Sequence, residues 1–266
     1  GKDKIQCYHE SDPINCPWDD EKVDIVFECT GKFNSKDESC KHLEAGAKKV
    51  IVSAPCKEAD QTVVYGINQK AITKKDEIIS VASCTTNCLA PLAYVMHKNF
   101  KIEKGYMTTI HSYTTDQRLL DNSHKDMRRA RSAPNSMVPT STGAAKSLKI
   151  IIPELEDKVD GISVRVPTPN VSLVQLSFNS KKKITKDSVN NALVKASKTY
   201  LKNVLGIERK PLVSSDFNHD PRSSIIDVAL TKVIGDNFGT VFSWYDNEWG
   251  FSNRMIDVAL TLKNKL

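Results

Sequence analysis

Residues 23–53 read VDIVFECTGKFNSKDESCKHLEAGAKKVIVS. The first seven, Val23 to Cys29, mix apolar and acidic positions as a sheet strand does, and Thr30-Gly31 ends the run. A helix is expected from about Ser35 to Gly46, with Leu43 and Ala47 on one side. Lys49 to Ser53 is a second strand, stopped by Ala54-Pro55. Strand, helix and strand joined by a crossover of this length read as a parallel βαβ unit, so the opening of the chain is α/β. Val63 to Ile67 and Ile78 to Ala82 add two further short strands.

Residue 84 opens a different section. Thr85 to His97 has helical character interrupted by Pro91; proline is tolerated best in a first turn, so the helix is expected to start near Leu89. Lys104 to His111 reads as a strand. Residues 112–143 are polar and turn-rich, with Arg128, Arg129 and Arg131 in the middle, and so long an irregular stretch inside a domain is usually functional. Gly143 to Leu148 is helical in pattern; Ile162 to Val166 and Val171 to Phe178 are strands. Thr185 to Leu201 is the clearest helix, with Val189, Ala192, Leu193 and Ala196 on one side. Ile225 to Leu230 and Thr240 to Trp244 read as strands of a broad sheet. Ser252 to Leu262 closes the chain with Met255, Ile256, Val258, Ala259 and Leu262 on a helical period.

A chain of 266 residues suits two domains, and 39% hydrophobic with 26% charged residues is an ordinary globular composition. No run of eighteen apolar residues supports a membrane span, and the charged opening, Gly1 to Glu10, is not a signal peptide. The net charge of +6 is unevenly spread. Residues 1–83 hold 12 Lys or Arg against 15 Asp or Glu, and residues 84–266 hold 26 against 17. A basic second portion suits an anionic ligand. Nucleic acid is not expected as the main partner, because zinc-finger spacing, RGG-like tracts and RNP-like aromatic motifs are missing from the sequence. Seven cysteines, an odd number with no Cys-x-x-Cys pair, argue for reduced thiols in the cytoplasm and against both a disulfide framework and a zinc site.

Four groups of residues could carry chemistry. Cys84 sits where the apolar run ending at Ala82 meets a helix start; unpaired backbone N–H groups and the positive helix end favour a thiolate there, and Cys84 is expected to rest as one. The same N–H groups could hold an oxyanion. Against this, a free cysteine is most often a buried structural residue, and that is the expectation for Cys88. His111, at the carboxyl end of its strand, stands where open α/β sheets place their chemistry and could exchange a proton with Cys84. Arg128, Arg129, Arg131 and Arg165 offer paired donors to phosphate, and Thr140-Ser141-Thr142-Gly143 forms a hydroxyl- and amide-rich turn before a helix. A solvated charge run is the alternative for the loop arginines. Asn247, within Trp244-Tyr245-Asp246-Asn247-Glu248-Trp249, could hydrogen-bond a carboxamide.

Taken together these residues resemble the phosphorylating glyceraldehyde-3-phosphate dehydrogenase family. Residues 82–91, ASCTTNCLAP, look like the family's active-site signature. His111-Ser112-Tyr113-Thr114, Arg128 to Arg131, Pro139 to Lys146, Arg165 to Asn170 and Trp244 to Glu248 match in the same order, so the likeness runs along the whole chain. Family members open with a strand, a Gly-x-Gly-x-x-Gly turn and a helix; that fingerprint occurs nowhere in this sequence, and the chain reads as starting after it. The resemblance therefore implies an α/β fold: a partial Rossmann-like parallel-sheet domain over residues 1–83, lacking its N-terminal part, and an α+β catalytic domain with a large mixed or antiparallel sheet over residues 84–247. A C-terminal helix, residues 248–266, is expected to pack back on the dinucleotide-binding domain.

The implied reaction oxidises D-glyceraldehyde 3-phosphate to 1,3-bisphosphoglycerate, with reduction of NAD, through a thioester on Cys84, with His111 as acid and base. By the resemblance Thr114, Arg128 and Arg165 bind the substrate phosphate, with Asp116 orienting Arg128. Ser83, Thr85, Thr142, Gly143 and Arg165 bind inorganic phosphate. Thr30, Gly31, Ser53, Ala54, Asn247 and Phe251 face the cofactor, and no metal is implied. Without the pyrophosphate turn, little cofactor affinity is expected of the chain as it stands. The loop from Gln117 to Val138 resembles a segment that reaches a neighbouring subunit, which implies a homotetramer. Three departures from the family pattern stand out: Val81 in place of asparagine, Phe251 in place of tyrosine, and Ser123 where NAD-specific members have proline. The last resembles members that also accept NADP. Two alternatives remain open: an erythrose-4-phosphate dehydrogenase that hydrolyses its thioester, and a non-catalytic anion- or RNA-binding form.

Overall fold

The computed structural model describes residues 2–263 and 265–266. Among the described residues the strands fall into two sheets. The smaller is wholly parallel and contains β1 (Ile25–Glu28), β2 (Lys49–Val52), β3 (Gln61–Thr62) and β4 (Ile78–Ser80) in the order β1-β2-β4-β3. The helix α1 (Lys36–Glu44) makes the crossover between β1 and β2. It starts where the sequence asks: the Ser35 side chain accepts from Glu38 N while the Glu38 carboxylate accepts from Ser35 N, a reciprocal cap. It ends at Gly46, whose φ of +108° suits a residue without a Cβ; a Cβ there would stand 2.5 Å from Asp19 N. Val50, Ile51 and Val52 are fully buried, as expected for a parallel strand covered on both faces.

Val63 to Ile67 is not a strand. Pairing stops at Thr62 because Asn68 captures the backbone: its Oδ1 accepts from Val64 N at 2.8 Å and its Nδ2 donates to Thr62 O at 2.8 Å. Val63 and Val64 are buried as core residues of a turn.

The chain then enters α2 (Cys84–Phe100). The expected start near Leu89 is corrected here. Ser83 caps the helix by accepting from Thr86 N, and Pro91 lies in its interior. Proline there costs roughly 3 kcal/mol through the lost bond and the ring clash. Fully burying Leu89 and Leu92 offsets this by about 1.5–3 kcal/mol each, and α2 is enclosed on nearly every side, with Val95 and Met96 also at zero exposure.

The larger sheet has eight strands. After β5 (Ile102–Ser112) come β6 (Val138–Thr140), helix α3 (Ala144–Ile151), β7 (Val159–Val166), β8 (Ser172–Ser180), helix α4 (Lys186–Lys198), β9 (Leu205–Glu208), β10 (Ser224–Asp227), β11 (Lys232–Ile234) and β12 (Phe238–Tyr245). Their order is β6-β7-β5-β8-β12-β10-β9, with β11 alongside β12. The sheet is mixed: β5–β7 and β9–β10 are parallel and the other pairs antiparallel. In β8 and β12 burial alternates residue by residue, so one face lies on a core shared with α2, through Val174, Leu176, Phe178 and Val241. Gly161 of β7 faces Met107 of β5 so closely that a Cβ would meet the Met107 side chain at 2.3 Å.

The last helix, α5 (Trp249–Lys263), returns to the smaller sheet. Met255, Val258 and Leu262 bury against Ile51, Ile72 and Ile79. The fold is thus a parallel-sheet portion beside a larger mixed sheet, the class expected from the sequence.

Candidate active site

Ala82 makes the turn from β4 into α2 with φ +55°, a left-handed conformation unusual for a residue with a side chain. The turn leaves Ser83 as cap and sets Cys84 at the first helical position, at the positive end of the helix. His111 and Arg165 are register partners on the parallel pair β5–β7 and so stand side by side. The Cys84 Sγ lies 3.5 Å from His111 Nε2.

The other imidazole nitrogen fixes the tautomer. His111 Nδ1 is 2.7 Å from Ser112 O, an acceptor only, so Nδ1 carries the proton and Nε2 presents its lone pair to Cys84. Arg165 Nη1 donates to the same Ser112 O at 3.0 Å and to Thr114 Oγ1 at 3.3 Å, and stands 3.0 Å from Nδ1. Two N–H donors thus share one carbonyl beside each other. Burial first, and then the neighbouring Arg165 charge, pull the His111 pKa down to about 3, so the ring is neutral near pH 7.

The expected resting thiolate is corrected by the same environment. Burial pushes the Cys84 thiol up; the opposing pulls of Arg165, Thr85 and the backbone N–H groups of Thr85 and Cys84 are smaller. The resting pair is a thiol facing a neutral imidazole, poised to move one proton when sulfur attacks. Cys88 is inert by comparison: fully buried under β12, its thiol is pushed up to about 12.

A cavity of about 190 Å³ opens beside the sulfur, lined by Pro55, Ser83, Cys84, Thr85, His111, Ser141, Thr142, Gly143, Ser163 and Arg165. It lies between two helix starts, with Ser83 in the N-cap position of α2 and Gly143 in that of α3. Ser83, Thr85, Thr142, Gly143 and Arg165 are therefore together on one anion-sized space. Thr114 does not line the cavity and meets it only through Arg165, whose Nη1 donates to its hydroxyl. Arg128 is not brought in: it is exposed, reaches Pro139 O at 3.5 Å, and lines an outer groove with Met127, Arg131 and Met137.

Asp116 does not orient Arg128. It pairs with Arg129, whose Nε and Nη2 also donate to Thr140 Oγ1 at 2.9 and 2.6 Å. The Asp116 carboxyl, which burial alone would raise, ends below its usual range because of Arg129 and His124. The reason for the exchange is steric order on the loop: of two adjacent arginines, Arg129 faces Thr140 of β6 and Arg128 faces outward.

On the other side of Cys84, Asn247 is 7% exposed and its Oδ1 accepts from Ser112 Oγ and Ser172 Oγ, each at 2.8 Å. The amide NH₂ is thereby turned to donate, which fits a carboxamide oxygen such as that of nicotinamide. Phe251, in the first turn of α5, packs at the edge of the smaller sheet's core. Thr30 and Gly31 follow β1, and Ser53 and Ala54 follow β2, so both pairs lie at the carboxyl edge of the parallel sheet. Thr30 spends its hydroxyl and N–H on Glu28.

Several residues of the site escaped sequence reasoning. The Tyr245 hydroxyl lies 2.9 Å from both Thr85 Oγ1 and Thr109 Oγ1, holding the residue after the cysteine in place. Ser112 and Ser172 aim Asn247. Ser163 lines the cavity two residues before Arg165; strand alternation could have found it, because i and i+2 share a face. Among the described residues no helix is long and apolar enough to cross a membrane, and no group of three His, Cys, Asp or Glu could hold a metal ion.

Residues 83–247 match the family model described as glyceraldehyde 3-phosphate dehydrogenase, C-terminal domain. The chain is 52% identical over 262 residues to the glyceraldehyde-3-phosphate dehydrogenase of Cereibacter sphaeroides, covering 98% of this chain and 78% of that protein. It is 51% identical over 265 residues to the glyceraldehyde-3-phosphate dehydrogenase of Zymomonas mobilis, covering 99% and 79%. With the glyceraldehyde-3-phosphate dehydrogenase of Geobacillus stearothermophilus it shares 52% identity over 257 residues, 96% of this chain and 77% of that protein.

Proposed function

The chain belongs to the glyceraldehyde-3-phosphate dehydrogenase family, and from that premise we propose that it carries the catalytic half of a phosphorylating, NAD-dependent oxidation of D-glyceraldehyde 3-phosphate to 1,3-bisphosphoglycerate. The observation that carries this reading is the 3.5 Å approach of Cys84 Sγ to the unprotonated Nε2 of His111 at the start of α2.

Sulfur attacks the aldehyde carbon as its proton passes to His111 Nε2; the carbon–sulfur bond forms and the carbonyl π pair moves to oxygen. The imidazolium returns the proton to that oxygen, giving a thiohemiacetal. His111 then takes the hydroxyl proton back as hydride leaves carbon, and a thioester remains on Cys84. Nicotinamide, when bound, would supply the hydride acceptor; Asn247 would donate to its carboxamide, and Phe251, Thr30, Gly31, Ser53 and Ala54 would be the further residues to hold the cofactor. Inorganic phosphate, held by Ser83, Thr85, Thr142, Gly143 and Arg165, attacks the thioester carbon and expels sulfur, which recovers its proton from His111.

Arg165 and Thr114 receive the substrate's own phosphate. Arg128 joins them by turning its fork inward from the outer groove where it rests. The donors of Arg129 are spent on Asp116, Asp126 and Thr140, whereas the Arg128 fork makes one marginal bond. Residues 1–83, 84–247 and 248–266 act as cofactor-side domain, catalytic domain and returning helix. The outward Leu119, Leu120, Met127 and Met137 of the irregular loop, each more than 60% exposed, support association with further copies, and with the family resemblance the proposal is a homotetramer in the cytoplasm, working in glycolysis. NAD is the proposed cofactor, with NADP accepted second, on the strength of Ser123.

The half-reaction that needs no cofactor tests this directly. An acyl phosphate should acylate Cys84 and release inorganic phosphate, and added phosphate should then discharge the thioester, followed by mass spectrometry. Discharge by water at the same rate with or without phosphate would remove phosphorolysis and favour the hydrolytic, erythrose-4-phosphate type.

A further inference from the structure

We propose that the Ser163 hydroxyl is a direct ligand of the inorganic phosphate that discharges the Cys84 thioester. The inference rests on the phosphorolytic reading above and adds a residue to it.

Three observations converge on Ser163. It is two residues from Arg165 on β7, and its register partner on β5 is Thr109 as that of Arg165 is His111; all four therefore share one face of the sheet. It lines the cavity that holds Cys84, Thr142 and Gly143. It is 2% exposed, yet its Oγ has no hydrogen-bond partner among the described residues. A buried hydroxyl left unpaired costs about 1–3 kcal/mol, so such an exception calls for a physical reason. The hydroxyls around it meet no such cost: Thr85 and Thr109 both reach Tyr245.

The Arg165 Nε is a second buried donor without a partner among the described residues, and it belongs to the same cavity. Two unpaired donors two residues apart, between two positive helix starts, ask for a ligand rich in acceptor oxygens and negative charge. A tetrahedral oxyanion meets that need. Ser163 lines the cavity with Thr142 and Gly143, whereas Thr114 is not among its lining residues and is reached only through Arg165. The hydroxyl is therefore assigned to the attacking phosphate and not to the phosphate of the sugar.

The test uses inorganic phosphate itself and needs no cofactor. Phosphate in the cavity should slow alkylation of Cys84 by iodoacetamide, read at the Cys84 peptide by mass spectrometry, and the midpoint of protection gives its affinity. Ser163→Ala should raise that midpoint on the order of five- to tenfold while leaving the alkylation rate without phosphate unchanged and, because it removes an unpaired hydroxyl, without lowering the melting temperature. Ser163→Gly should raise it equally. An unchanged midpoint in both variants means that water satisfies the hydroxyl and overturns the proposal. If phosphate protects even the parent protein not at all, the phosphate pocket itself fails, and the phosphorolytic reading fails with it.

Discussion

Of the three histidines buried among the described residues, His42 and His111 lie one beside each sheet and are wired in opposite ways. His42, on α1, is 6% exposed; Trp18 Nε1 donates to its Nδ1 at 3.1 Å, and its Nε2 donates to Glu28 Oε2 at 2.9 Å. Both ring nitrogens are matched, one by a donor and one by a carboxylate. Burial would raise the Glu28 carboxyl, but the bonds from His42 and Thr30 outweigh it and hold it below the usual range. His111 is 3% exposed, its near neighbour is the cation Arg165, and its Nε2 faces a thiol at the long distance of 3.5 Å. Burial is common to both rings, so burial does not mark function. What separates them is the chemistry of the partners: His42 is held by an indole N–H and a carboxylate, whereas His111 stands between a thiol and a cation.

Substitution should break this comparison cleanly. His111→Gln is expected to slow acylation of Cys84 by an acyl phosphate about 10²–10⁴-fold, the usual worth of a positioned base, with little change in melting temperature. His42→Ala is expected to do the reverse: it leaves the Glu28 carboxylate buried without its imidazole donor, at a cost of about 3 kcal/mol in unfolding free energy, and alters the acylation rate less than about threefold. A His42 variant that folds stably but loses acylation would show that the two histidines are not separable in this way.

Acid sharpens the same contrast with a smaller effect. The folded His111 pKa of about 3 lies below the ordinary value of 6.5, so between those limits the unfolded chain binds more protons. Stability from this group is complete above pH 6.5 and is lost as pH falls toward 3, amounting to about 2 kcal/mol at pH 5. Urea unfolding of the parent protein should show that slope, and His111→Gln should flatten it. An equal slope in both proteins would place the acid sensitivity elsewhere.

The legible parts of the molecule are those with local causes. The βαβ opening could be read because a capping pair, a terminal glycine and continuous apolar strands all act within a few residues. The start of α2 was misread because Pro91 was weighed by its local cost alone, while the enclosure of Leu89, Leu92 and Met96 is supplied by strands far along the chain. Val63 to Ile67 reads as a strand in sequence for the same reason: its apolar residues serve the core, and the Asn68 side chain that ends the pairing leaves no periodic trace. Cys84 and His111 were visible as positions, but not their charge. The protonation of each depends first on burial; Arg165, which only the parallel register of β5 and β7 brings alongside, adds to the depression of His111 and only partly opposes the rise at Cys84. A resting thiolate follows from the helix end considered by itself; a resting thiol follows once the burial of the assembled site is counted.

Partner chemistry also sorts the two loop arginines, and here the expected effect is smallest. Arg129 is anchored by Asp116, Asp126 and Thr140 on three sides, so Arg129→Ala should loosen the loop and affect phosphorylated and unphosphorylated aldehydes alike. Arg128 keeps its fork open, and an open fork is what a phosphate requires. Arg128→Ala should therefore weaken the phosphorylated substrate roughly tenfold more than its unphosphorylated analogue, measured as the ratio of their second-order rate constants for reaction with Cys84. Were Arg129→Ala the variant that discriminates between the two aldehydes, the clamp and the ligand would have to exchange places, and an arginine held by two carboxylates would still be binding phosphate.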